Sequence, residues 1–153
     1  MLMPIQKITQ LLLVLSLLGS IPLSAQSTAA DSVTLALNDY IDAFYYGDTS
    51  KIHRSIDLGV HKYGYYRPRN STTYEGSAMP FREMIEYATG VLKKGKNPNV
   101  EKFPRKVEVY EVLDKTACGK VTAWWGTDYV LLAKLDGRWK ITNVLWQSPA
   151  PKQ

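Results

Sequence analysis

The apolar positions in the last third of the chain form four runs rich in β-branched, aromatic and aliphatic residues. With two-residue connections between them, the runs cover residues 105–113, 116–125, 128–135 and 138–147. Such short connections join sequential antiparallel strands, because a parallel crossover needs about a dozen residues or more. Asp136 followed by Gly137 is also a strong hairpin signal, since a type I′ turn needs positive φ at both central residues. The pattern predicts a four-stranded antiparallel meander.

Apolar residues at helical spacing predict a pair of helices near the start of the chain. One apolar stripe runs through residues 31–46, and we expect Asp31 or Ser32 to cap its start. Gly47 is a natural stop for this helix, and Asp48 can cap a second, shorter helix directly after it.

A strand and a third helix are predicted between this pair and the meander. Residues 60–66 alternate along the chain, which places His61, Tyr63 and Tyr65 on one face of a strand. Helical spacing returns over residues 80–95. The predicted order is therefore helix, helix, strand, helix and four strands.

The N-terminal segment has the pattern of a signal peptide. Lys7 supplies its positive charge, an apolar stretch follows over residues 11–18, and cleavage is expected near Ala25. The apolar stretch is shorter than the roughly 20 residues of a spanning helix. We therefore expect an exported protein, periplasmic or secreted, without a stable membrane anchor after cleavage; an uncleaved anchor is the alternative. The predicted organisation is a signal peptide at 1–25, a short linker at 26–31, one domain at 32–148 and a tail at 149–153.

Composition narrows the function classes. The formal net charge of the 153 residues is +5, spread along the chain, whereas a nucleic-acid-binding protein concentrates Lys and Arg on one element. We therefore expect no nucleic-acid partner. Cys118 is the sole cysteine, so no internal disulfide can form. Two histidines and one cysteine form no recognisable ligand set, and we expect neither a metal site nor a cofactor.

The predicted order of elements, closed by the hairpin at residues 136–137, resembles the nuclear transport factor 2-like superfamily over residues 32–148. Within it the chain is most similar to the putative lumazine-binding, SnoaL-like family. The matching stretches are Tyr40 ahead of Gly47 and Asp48, and residues 128–141 with Asn143. The resemblance implies an α+β fold, in which three N-terminal helices pack on a strongly curved, mixed or antiparallel sheet shaped like a cone.

The resemblance also implies a hydrophobic pocket inside the cone. The same scaffold carries steroid isomerases, polyketide cyclases and dehydratases, as well as binding or dimerisation domains without catalysis. A fold shared by so many functions does not choose among them.

Aromatic residues and one amide are the candidates for lining such a pocket. Alternation places Tyr129 with Leu131 on one face of the third meander strand, and Trp139 with Asn143 on one face of the last. A buried amide needs partners, so Asn143 is either a structural hydrogen-bonding residue or a ligand contact. Core packing is the alternative explanation of the aromatic residues. The predicted ligand-binding residues are Tyr40, Tyr65, Trp125, Tyr129, Trp139 and Asn143.

His61 and Tyr65 are the candidates for catalysis. An imidazole can act as a general base near neutral pH, and a phenol can polarise a carbonyl oxygen. An isomerase on this fold needs a carboxylate base in its apolar cavity. Asp39 is expected to face solvent and Asp128 to serve a turn, so neither is assigned that role.

Three hypotheses follow from these observations. The leading one is an exported binding or accessory domain that holds a small apolar or planar molecule, without catalysis, and forms a homodimer through the outer face of the sheet. The second is a cyclase, isomerase or dehydratase that uses His61 as base and Tyr65 as donor. The third is a dimerisation module without a ligand. An open pocket, and the titratable groups beside it, would discriminate among them.

Overall fold

The computed structural model describes residues 28–95 and 97–150. The predicted signal peptide and its cleavage site lie outside these residues. Within them, the chain forms three α-helices and six strands: α1 (Ala29–Tyr46), α2 (Thr49–Ser55), β1 (Ile56–Tyr66), β2 (Glu75–Ala78), α3 (Phe81–Lys94), β3 (Lys106–Val112), β4 (Thr116–Ala123), β5 (Gly126–Leu135) and β6 (Arg138–Gln147). In the part of the chain that is described, no helix is long and apolar enough to cross a membrane.

Helix α1 begins earlier than the apolar stripe indicates. The Thr28 hydroxyl accepts a hydrogen bond from the Asp31 backbone N–H (3.1 Å), and the Asp31 carboxylate accepts one from the Thr28 N–H (3.0 Å). The prediction that Asp31 or Ser32 caps the helix is therefore wrong, because Thr28 is the N-cap and Asp31 is the N3 residue of its capping box. The predicted stop at Gly47 is confirmed by its left-handed conformation (φ 73°).

One mixed sheet contains all six strands, in the order β2-β1-β6-β5-β4-β3. β1 and β6 are parallel, and every other neighbouring pair is antiparallel. The predicted turn between β5 and β6 is confirmed, with Asp136 at φ 48° and Gly137 at φ 78°. The edge strand β2 was not predicted, because all four of its residues are exposed and carry no alternation.

The helices cover one face of the sheet, which we call the inner face; the opposite one is the outer face. Side chains of α1 such as Leu37 and Ile41 pack with Val121, Val130 and Ile141 from the strands. These residues form a single core between the helices and the sheet.

Tyr129 and Leu131 share a face of β5 as predicted, but it is not the pocket side; on β6, the prediction that Trp139 and Asn143 share a face is wrong. On β5 the buried face carries Asp128 and Val130, whereas Tyr129 lies on the outer face. On β6 a bulge inserts one residue, since Leu132 pairs with Ile141 while Leu131 pairs with Asn143. An extra residue reverses the alternation beyond it, so Asn143 is exposed on the outer face.

Candidate functional site

A pocket of about 250 Å³ opens on the inner side of the sheet. All but two of its lining residues are aromatic. We call it the aromatic pocket, and it is lined by Phe44, Lys62, Met79, Tyr87, Trp124, Trp125 and Trp146.

Trp146 enters the aromatic pocket because β1 provides space for its ring. Gly64 pairs with Trp146 across the parallel β1–β6 ladder. A Cβ at position 64 would overlap the indole, so the ring can lie across the strand only where β1 has no side chain.

The β4–β5 hairpin supplies the other two tryptophans. Its turn is at Trp124 and Trp125, because Ala123 pairs with Gly126. The predicted turn at residues 126–127 is therefore wrong by two residues. Because both tryptophans lie in the turn, their side chains do not have to alternate between the two faces of the sheet. Trp125 packs edge-on against Phe44, with 5.7 Å between the ring centroids.

A hydrogen-bonded network of buried polar groups lies at the base of the aromatic pocket. Lys62 Nζ donates to the Tyr40 hydroxyl (2.5 Å), and that hydroxyl donates to Asp128 Oδ1 (3.1 Å). Trp125 Nε1 donates to the other carboxylate oxygen of Asp128 (2.6 Å). The network joins α1, β1, the β4–β5 turn and β5.

Burial changes the proton affinities of this network. Lys62 is 6% exposed and Asp128 is 0% exposed. Burial lowers the pKa of Lys62, and the negative charge of Asp128 partly opposes that shift. Burial likewise raises the pKa of Asp128, against the charge of Lys62 and the hydrogen bonds from Trp125 and Tyr40. The pKa of Tyr40 is raised well above its ordinary value, first by burial and then by Asp128.

Lys62 retains hydrogen-bonding capacity toward the pocket. An ammonium has three N–H donors, and Tyr40 accepts one of them. Asp128 Oδ1 is 3.9 Å from Nζ, beyond hydrogen-bond distance. The rings of Phe44, Tyr40 and Trp146 also lie close to Nζ, with centroids 4.8, 5.0 and 5.9 Å away. Rings attract the cation but accept no ordinary hydrogen bond, so a ligand oxygen at this point would gain a charged donor.

The predicted site residues lie on two faces of the sheet. Tyr40 and Trp125 belong to the inner network, and Trp139 is buried in the core. His61, Tyr129 and Asn143 line a depression of about 430 Å³ on the outer face.

Tyr65 is 44% exposed and lies on the same outer face as His61. The catalytic roles assigned to His61 and Tyr65 stay predictions. Neither residue lines the aromatic pocket.

Sequence reasoning missed Lys62 and Asp128. The sequence signal for Lys62 was its position two residues from Val60 and from Gly64 on the same face of a predicted strand. The structure shows that both of these neighbours are buried. The prediction that Asp128 only serves a turn is wrong, since it accepts two buried hydrogen bonds. The signal for Asp128 was its alternation with Val130 and Leu132, but Tyr129 and Leu131 make the opposite face of β5 apolar as well, so the sequence does not tell which face is buried.

Asp39 is also buried, contrary to prediction. It is 2% exposed and accepts two hydrogen bonds from the Arg54 guanidinium (2.6 and 2.5 Å). This pairing of α1 with α2 explains Asp39 without a role in the aromatic pocket.

A family model described as putative lumazine-binding matches residues 28–147. That stretch contains every element of the sheet and all residues of the aromatic pocket. A comparison with curated proteins found no match.

Solved structures of three bacterial proteins have a similar fold. An NTF2-like protein of unknown function from Shewanella baltica OS155 is 12% identical, with a TM-score of 0.58 over 82% of this chain and 100% of that one. A second, from Silicibacter pomeroyi DSS-3, is 13% identical, with a TM-score of 0.58 over 80% of this chain and 100% of that one. A third, from Methylobacillus flagellatus KT, is 20% identical, with a TM-score of 0.55 over 82% and 97%. At these identities the likeness concerns the fold, and it confirms the predicted α+β nuclear transport factor 2-like fold.

Proposed function

The chain belongs to the putative lumazine-binding family, and we propose that it binds a small, planar, uncharged molecule in the aromatic pocket. The family and the fold support a ligand-binding domain. The observation that carries the finer proposal is Lys62, a buried cation with unused donors inside a wall of aromatic rings.

The size of the aromatic pocket favours a ligand of one or two fused rings. Its volume of about 250 Å³ lies below the roughly 300–1,000 Å³ of pockets that hold drug-sized molecules. Aromatic walls favour a planar ligand, which can stack against a ring or meet its edge.

The charge of the network favours a neutral ligand with an acceptor oxygen. Lys62 and Asp128 already balance each other at 3.9 Å. An anionic ligand would bring a second negative charge into a buried site, at a large desolvation cost. A carbonyl oxygen accepts a hydrogen bond without adding charge. The pteridine dione lumazine has this chemistry, as do other cyclic amides of similar size.

Titration with lumazine tests this proposal. Three tryptophans line the aromatic pocket, so binding should quench the intrinsic fluorescence of the protein. Lys62→Met keeps the length and apolar packing of the side chain but removes its donors. A hydrogen bond from a charged donor contributes about 1.5–3 kcal/mol, so the Kd of the variant should rise about ten- to a hundredfold.

Leu92→Lys on α3 is the matched control, because Leu92 is exposed and does not line the aromatic pocket. Its Kd should equal that of the unmodified chain. Equal affinity of Lys62→Met and the unmodified chain would contradict the assigned role of Lys62. Failure of lumazine and related cyclic amides to bind at all would refute the proposed function.

We also propose export from the cytoplasm. The support is the charge of Lys7 followed by the apolar residues 11–18. Expression of the full chain in a bacterial host, with N-terminal sequencing of the periplasmic protein, should find a mature terminus just after Ala25. Retention of Met1 in a cytoplasmic product would contradict export.

A second copy of the chain is the partner that we propose for the outer face of the sheet. Half-exposed Tyr and Leu side chains each present on the order of 100 Å² of surface. Six of them together approach the roughly 800 Å² per partner of a standard interface. The six are Tyr65, Tyr110, Leu113, Tyr129, Leu131 and Leu145.

A further inference from the structure

We propose that Lys62 forms a covalent imine with an aldehyde or ketone group on a planar molecule held in the aromatic pocket. The inference rests on the proposed binding function and adds a reaction to it. The class of substrate is an uncharged one- or two-ring carbonyl compound.

The Lys62 amine can lose a proton because a chain of hydrogen bonds connects it to the Asp128 carboxylate. Its Nζ donates to Tyr40 (2.5 Å), and Tyr40 donates to Asp128 (3.1 Å). Transfer of one proton along each bond moves a proton from the ammonium to the carboxylate. The products are a neutral amine and a carboxylic acid, and the total charge is unchanged.

Burial narrows the free-energy gap between the ion pair and this neutral pair, so the neutral amine becomes accessible. Removing an ammonium and a carboxylate from water costs more than removing an amine and a carboxylic acid. Burial lowers the pKa of Lys62 and raises that of Asp128, so both groups shift toward their uncharged forms. A desolvated lysine in an apolar pocket is the environment in which an amine becomes nucleophilic.

The reaction balances without an oxidant or reductant. The lone pair of the Lys62 amine attacks the carbonyl carbon, a C–N bond forms, and the electrons of the C=O π bond move to oxygen. Proton transfer to that oxygen gives a carbinolamine. The oxygen then leaves as one molecule of water with the two amine hydrogens, and a C=N bond remains.

The pocket stabilises the protonated form of the product. An iminium carries the same charge as the Lys62 ammonium, at almost the same place. The rings of Phe44 and Trp146 attract that charge, and the Asp128 carboxylate neutralises it once its proton has returned.

Reductive trapping tests the inference. The full chain is incubated at neutral pH with 2-naphthaldehyde and sodium cyanoborohydride, which reduces an iminium to a stable secondary amine. Intact mass spectrometry counts the adducts, and peptide mapping locates them. A lowered pKa increases the fraction of neutral amine at neutral pH, so Lys62 should be modified faster than the exposed Lys106.

Excess lumazine occupies the pocket without offering an aldehyde or ketone, so it should suppress the Lys62 adduct and leave modification of Lys106 unchanged. Lys62→Arg keeps a cation that cannot form an imine, and it should lose the fast adduct. Peptide mapping of the unmodified chain gives the answer even where this variant fails to fold.

Adducts at exposed lysines, with none at Lys62, would overturn the inference. If lumazine still quenches tryptophan fluorescence in that case, the binding function stands without the imine. If neither lumazine nor the aldehyde occupies the aromatic pocket, both proposals fail. A Lys62 adduct that lumazine does not suppress would support the imine at Lys62 and contradict lumazine as a ligand of the aromatic pocket.

Discussion

Lys62 and Asp128 are charged side chains in surroundings that are otherwise apolar. Charges buried at this depth are tolerated only when they are paired and hydrogen-bonded, because the desolvation cost is large. Here the Tyr40 hydroxyl lies between the two charges and bonds to both, and Trp125 satisfies the second oxygen of the carboxylate. The network therefore orients the donors of Lys62 toward the aromatic pocket.

Asp128→Asn should destabilise the protein strongly. The amide cannot neutralise Lys62, and its NH₂ group must face a donor, either Tyr40 or Trp125. Removing one partner of a buried ion pair costs about 3–5 kcal/mol, which urea denaturation measures as a lower midpoint.

The double variant Lys62→Met with Asp128→Asn should recover part of this loss, because no uncompensated charge is then buried. A double-mutant cycle over the four proteins gives the coupling energy. Strictly additive effects would contradict the network.

Side-chain caps begin the first two helices of this fold, at Thr28 and at Asp48. The N-cap of α2 is Asp48, which accepts a hydrogen bond from the Ser50 backbone N–H (3.0 Å). The bulge in β6 and the turn at Trp124 and Trp125 decide which side chains face inward. Small backbone features therefore select the lining of the aromatic pocket.

Asp48→Ala should make the free energy of unfolding less dependent on pH in the acidic range. Hydrogen bonds from Ser50 hold the pKa of Asp48 below its ordinary value of 3.8. A lowered folded-state pKa gives stability that is present above the unfolded pKa and is lost as pH falls through the folded value. The variant should cost about 1 kcal/mol at pH 7 and progressively less in strong acid.

Asp48→Asn is the matched control, because asparagine caps a helix as well as aspartate does. This variant should be as stable as the unmodified chain at pH 7, and it has no carboxylate at position 48 to titrate in acid. Thermal unfolding of the three proteins between pH 2 and pH 7, an interval of about five units around the carboxylate pKa, measures both effects. A constant cost of Asp48→Ala across that interval would contradict the capping role.

Gly64→Ala should displace Trp146 from the aromatic pocket. The new methyl group overlaps the indole, and overpacking of this kind costs about 1–3 kcal/mol.

Gly90→Ala in α3 is the control, because a Cβ there meets no atom within 4 Å and helix propensity favours alanine by about 1 kcal/mol. Melting temperatures should therefore move in opposite directions, and lumazine affinity should fall only for Gly64→Ala. Unchanged affinity of Gly64→Ala would exclude Trp146 from the binding wall.

The whole molecule presents two different surfaces. Its helices cover the inner face, whereas the outer face leaves large apolar side chains in water, including Tyr129 (57% exposed) and its cross-strand partner Leu145 (53%). Exposed apolar patches of more than a few hundred Å² mark interaction sites. The outer face and the aromatic pocket lie on opposite sides of the same sheet, so association and ligand binding need not compete.

Leu145→Lys should dissociate the proposed homodimer. A lysine at the centre of an apolar interface must be buried without a partner, which costs several kcal/mol. Light scattering after size exclusion should report a dimer for the unmodified chain and a monomer for the variant. Leu92→Lys, on the helical side and 63% exposed in the unmodified chain, should remain dimeric. A monomeric unmodified chain would refute the proposal.

Local signals in the sequence determined most of the elements. Helical spacing and Gly47 predicted α1 and its end, and Asp136 with Gly137 predicted the β5–β6 turn, because these features depend on residues near one another in the chain. The order of the elements then identified the α+β fold.

Only the tertiary structure decided the site. An inserted residue in β6 moved Asn143 to the outer face, and strand pairing moved the β4–β5 turn onto two tryptophans. Lys62 and Asp128, 66 positions apart in the numbering, come together only when β1 and β5 lie on either side of β6. The physical reason is that burial and pairing are properties of the assembled sheet: alternation tells which residues share a face of a strand, but packing of the helices decides which face becomes the interior.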